Sequence, residues 1–106
     1  MEKMFIVTAS TGEYADKYSY NLFACASKQA ADACLSAIDN WFQLQGLQKS
    51  PLKRCYFPRD ITANDAEARH ACADAFREQF GVPLTIDYTG VEFDLEEVMV
   101  FHDRGA

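Results

Sequence analysis

The hydrophobic period of this chain changes twice along its length, and that limits its fold more than any other feature. Between Tyr18 and Ala26 the residues Tyr18, Tyr20, Leu22 and Ala24 recur at every second position, the period of a strand. From about Lys28 to Gln45 the apolar residues Ala30, Ala33, Cys34, Ala37, Ile38 and Trp41 step by three and four, the period of a core-facing helix. A second helical pattern runs from about Asp65 to Phe80, with Ala66, Ala73, Phe76 and Phe80 on one face and His70 on the same line. Period two then returns. Leu84, Ile86 and Tyr88 alternate with Thr85, Asp87 and Thr89, and Val91, Phe93 and Leu95 alternate with Glu92, Asp94 and Glu96. An apolar run from Met4 to Ala9 adds a first strand, predicted to be central and buried on both faces. These segments predict an α+β fold in the order ββααββ, an antiparallel sheet of three or four strands with both helices on one face. At 106 residues the chain is expected to be a single domain over residues 1–106.

Punctuation between the patterns is specific. Ser27 stands where the strand pattern stops and can cap the first amides of the helix that follows, and Gly46 is the expected stop. Asn64 and Glu67 have capping-box spacing at the start of the second helix, which Gly81 and Pro83 end. Trp41 and Phe42 point about 100° apart on a helix, with Trp41 expected in the core and Phe42 at its margin. Gly90 reads equally well as a hairpin turn or a bulge, and the alternation slips at Glu96 and Glu97 before the last apolar run, Val98 to Phe101.

Ten basic and sixteen acidic residues give a net charge of −6, which works against attraction to nucleic acid backbones. Residues 46 to 62 form the one basic stretch, a loop in which Lys53, Arg54 and Arg59 could hold a small anionic ligand while Cys55, Tyr56 and Phe57 fold down on the domain. The opening Met1-Glu2-Lys3 has no secretion signal after it, and no stretch approaches the roughly 20 apolar residues that span a bilayer. A soluble, cytoplasmic protein is expected. Cys25, Cys34, Cys55 and Cys72 lack the Cys-x-x-Cys spacing of zinc or redox motifs, so four free thiols, no metal and no cofactor are expected.

No phosphate loop, His-Glu-x-x-His pair or nucleophile elbow is present, and the titratable residues are scattered, so the chain reads as a binding protein rather than an enzyme. Two surfaces are candidates for a protein partner. Glu13, Tyr14, Asp16 and Tyr18 gather acids and aromatics in the first loop. From Asp87 to Glu97 the carboxylates Asp87, Glu92, Asp94, Glu96 and Glu97 occur with no basic residue among them, and strand alternation sets Glu92, Asp94 and Glu96 on one face about 6.6 Å apart.

The run Val7-Thr8-Ala9-Ser10-Thr11-Gly12-Glu13-Tyr14-Ala15-Asp16-Lys17 resembles a stretch in small phage and prophage proteins of uncharacterised function, where a strand enters Thr-Gly-Glu-Tyr-Ser-Asp. The likeness extends over about the first 45 residues with the next strand and the alanine-rich helix, and departs from the pattern at Ala15, where Ser is usual. It implies a phage-type accessory protein that binds a host complex, as an inhibitor of a defence or nucleic-acid-handling assembly, through an acidic surface and without touching nucleic acid itself.

Overall fold

The computed structural model describes residues 2–12, 17–45, 48–49, 55–57, 66–86 and 90–101. Three long strands, β1 (Lys3–Thr11), β2 (Tyr18–Cys25) and β5 (Val91–Met99), and two helices, α1 (Lys28–Leu44) and α2 (Ala66–Phe80), make an α+β fold. Two short strands, β3 (Gln48–Lys49) and β4 (Cys55–Phe57), lie between the helices in sequence. The sheet is antiparallel throughout, in the order β2-β1-β5-β4-β3.

The element order ββαββαβ corrects the expected ββααββ. The basic stretch between the helices is not a plain loop, since residues 55–57 pair with β5 at Cys55↔Glu92 and Tyr56↔Val91. Of the strand expected over 84–89, residues 84–86 join no ladder, and 87–89 lie outside the described residues. Leu84 and Ile86 are nevertheless buried, with Thr85 exposed between them. Their period of two records an extended segment that closes the core without pairing, and its Thr85 amide donates to the Tyr20 hydroxyl at 2.8 Å instead. Gly90 stands at φ +93 at the entry to β5, and its carbonyl accepts a 2.7 Å hydrogen bond from the buried Thr11 hydroxyl.

Both helices pack on one face of the sheet. Val7 and Ala9 of β1 and Val91 and Phe93 of β5 form the floor of the core, Leu35, Ile38 and Phe42 of α1 and Phe76 of α2 its roof. Phe93 touches rings from both helices, Phe42 at 5.6 Å and Phe76 at 6.2 Å between centroids. Helix α1 begins as its cap requires: Ser27 is extended and its hydroxyl accepts the Ala30 amide at 3.1 Å. It ends with Gln45 as the C-cap, and the expected stop, Gly46, lies outside the described residues.

The buried stripe of α1 is Ala31, Leu35, Ile38 and Phe42, with Cys34 and Trp41 at its margin, whereas Ala30, Ala33 and Ala37 are exposed. The helix is therefore rotated from the expected face. Alanines gain little from burial, so the larger Leu35 and Phe42 decide which side turns inward. The expected places of Trp41 and Phe42 are exchanged: Phe42 is fully buried and Trp41 covers it edge-on at 5.0 Å. On α2, Phe76 is buried with Cys72, Ala73 and Phe80 beside it, while Ala66 and His70 are exposed. Gly81 at φ +77 donates its amide to the Arg77 carbonyl at 2.8 Å and ends the helix as expected.

Candidate functional site

Alternation along the strands divides their side chains between the helix-covered face and an open one. On β1, Val7, Ala9 and Thr11 are buried, while Met4, Ile6, Thr8 and Ser10 are only half-buried. The strand is central but covered on one face, which corrects the expectation of burial on both. Pairing carries the pattern across the sheet. Opposite these four β1 residues stand Val98, Glu96, Asp94 and Glu92 of β5, in one-to-one register. On the other side Ala24, Asn21 and Ser19 of β2 face Ile6, Thr8 and Ser10.

Over β1, β2 and β5 the open face is thus a grid of three columns: a carboxylate column on β5, a central β1 column running from Ser10 and Thr8 to Ile6 and Met4, and a small polar column on β2. Thr8, Ser19, Tyr20, Asn21, Asp94, Leu95 and Glu96 line a shallow groove of about 350 Å³ across it. Asp94 and Glu96 are exposed and Glu92 half-buried. One oxygen of Asp94 accepts the Leu95 amide at 2.8 Å, which fixes the carboxylate against its own strand. The sole basic residue of β1, β2 and β5 is Lys3, and it lies on the opposite face, where it bridges Glu97 at 2.9 Å.

The expected acidic ribbon is therefore divided. Glu92, Asp94 and Glu96 share the open face as alternation predicts. Glu97 points to the helix side of the sheet, because β5 continues without a phase slip through Met99. Tyr18 also belongs to the other face, opposite Thr11, half-exposed and stacked on Tyr20 at 5.9 Å. Glu13, Tyr14, Asp16 and Asp87, and the basic Lys53, Arg54 and Arg59, lie outside the described residues. The sequence reading missed Thr8, Ser10, Ser19 and Asn21 as members of the site. Their signal was present: Thr8 and Ser10 interrupt an apolar strand at alternate positions, which marks a solvent side.

Burial pushes the Tyr20 hydroxyl above its ordinary pKa, against the stabilising hydrogen bond from the Thr85 amide. Among the described residues no three His, Cys, Asp or Glu side chains converge in a way that could hold a metal ion. Among the same residues no helix is long and apolar enough to cross a membrane. Compared with protein families, curated proteins and solved structures, the chain gives no match in any of the three.

Proposed function

We propose that this chain is a binding module that docks the open face of its sheet onto a basic surface of a protein partner. The observation that carries this reading is the column Glu92, Asp94 and Glu96 on the face that neither helix covers, with no basic residue of β1, β2 or β5 on that side. Lysine and arginine match such a face in both halves of their side chains. Their cationic heads meet the carboxylates, and their aliphatic stems lie along the half-buried Ile6, Met4 and Val98. The same column repels a phosphate backbone, so the partner is protein rather than nucleic acid. Acids spaced about 6.6 Å apart along a strand can occupy Lys and Arg side chains that otherwise meet phosphates of similar spacing. With the resemblance of Val7–Lys17 to phage and prophage proteins, this points to inhibition of a host complex by occupation of its basic surface.

Affinity capture from bacterial lysate tests the proposal with three proteins: the native chain, the triple variant E92K/D94K/E96K, and D32K/D74K/E78K, which makes the same change in net charge at exposed helix positions. A partner retained by the native chain and the helix variant but lost by the open-face variant supports the reading. A partner that all three retain overturns it.

A further inference from the structure

A bulge in β2 brings two thiols together at the corner where the strand passes into α1. The pairing of β1 with β2 shifts register between Val7 and Thr8: Val7 faces Phe23 and Thr8 faces Asn21, so Leu22 is the extra residue. Before the bulge the even residue Tyr20 pairs with the core-facing Ala9; after it the odd residues Phe23 and Cys25 pair with Val7 and Phe5. This reverses the alternation that the sequence suggests, leaving Ala24 on the open face and turning Cys25 toward the helices. Cys34 comes down from α1 on the margin of the buried stripe, three residues after Ala31 and four before Ile38. The Cys25 and Cys34 thiols are free and half-buried, both pack against the same core cluster, and the Cys25 sulfur lies near enough to act on the Cys34 thiol. Without the extra residue, Cys25 would project to the opposite side of the sheet.

We propose that Cys25 and Cys34 form a redox-active dithiol that a low-molecular-weight disulfide, such as oxidised glutathione, converts to an intramolecular bond. The Cys25 thiolate attacks one sulfur of the oxidant, forms a mixed disulfide and releases one glutathione thiolate. The Cys34 thiol then gives its proton to solvent, and its sulfur displaces the second glutathione from Cys25. The protein loses two hydrogens and two electrons, and one oxidised glutathione becomes two reduced ones. Cys25 leads because burial, together with the adjacent Cys25 sulfur, holds the Cys34 thiol above its ordinary pKa and keeps it protonated. Cys72 provides an internal control: burial alone raises its pKa, and no neighbouring thiol contributes. The bond would tie the end of the edge strand to the second turn of α1, on the opposite side of the sheet from the carboxylate column.

The test incubates the reduced protein with oxidised glutathione and maps disulfides in the unreduced digest by mass spectrometry. The expected product is lighter by two hydrogen atoms, links the Cys25 and Cys34 peptides, leaves Cys72 open to alkylation, and melts at least ~5 °C higher because a short loop is closed. In C34S the reaction should stop at glutathione on Cys25, since no second thiol resolves it. A link from Cys25 to another cysteine, persistent glutathione adducts on the native chain, or equally fast loss of the adduct in C34S would each overturn the proposal. The peptide map of the native chain decides the matter even if C34S does not fold.

Discussion

Replacing Phe42 by alanine should be among the most damaging changes to this domain, and comparing it with the same change at Trp41 tests how α1 is turned. Phe42 is 0 % exposed, and among the described residues its ring meets Trp41 at 5.0 Å, Phe93 at 5.6 Å and Phe76 at 5.8 Å. These come from α1, β5 and α2, so no single element can move in to fill the space. A buried Phe→Ala change costs about 3–5 kcal/mol, and a site walled by three separate elements belongs at the upper end, near ~4 kcal/mol. That is a large share of the ~5–15 kcal/mol that holds a typical domain. It corresponds to a fall in Tm of roughly 15 °C or more for a chain of this size. Trp41 is half-buried and already meets solvent, so Trp41→Ala should cost about half as much, ~2 kcal/mol, although tryptophan is the larger side chain. Urea unfolding followed by far-UV circular dichroism measures both without relying on the fluorescence of the chain's one tryptophan. A Trp41→Ala variant less stable than Phe42→Ala would refute the assigned rotation of the helix.

Ser27→Ala removes the acceptor for the Ala30 amide and should cost ~1 kcal/mol by the same unfolding assay, with Ser27→Asp close to neutral. Thr11→Val leaves the Gly90 carbonyl without its 2.7 Å donor and should cost ~1–3 kcal/mol, whereas Thr11→Ser should retain that hydrogen bond and lose only the methyl contact. Tyr20 binds its proton more tightly folded than unfolded, so its contribution is fully present below the ordinary tyrosine range and is lost as pH rises through the elevated folded value. Ultraviolet titration of native protein against Tyr20→Phe should show one high-titrating phenol missing, and the native chain should lose stability more steeply in that alkaline window.

Several local decisions were legible in the residues themselves. Ser27 announces α1, Gly81 ends α2, and the alternation from Val91 to Leu95 assigns Glu92, Asp94 and Glu96 to one face. What the residues concealed was set by tertiary contact. An alanine-rich helix carries a weak facial signal, so the stripe through Ala30, Ala33 and Ala37 looks as apolar as the one that packs. Leu84 and Ile86 alternate as a strand would, because any extended segment lying on a core alternates, whether or not it has a ladder partner. The Leu22 bulge left no mark in the sequence, since Leu22, Phe23, Ala24 and Cys25 are all apolar and either phase could be buried. The rest of the open face was signalled by Thr8 and Ser10 at alternate positions, a mark outweighed by the apolar residues around them, which read as a strand buried on both sides.

The proposed binding contact is the carboxylate column on β5. The measurement that meets it most directly is the affinity of the captured partner for the native chain, E92K/D94K/E96K and D32K/D74K/E78K, each followed from low to physiological ionic strength, where the screening length shortens to ~8 Å. The native and helix-face proteins should bind alike and weaken as salt rises, while the open-face variant should lose at least ~10-fold in affinity at low salt with its circular dichroism and Tm preserved. Equal affinity in all three proteins, indifferent to salt, would contradict it.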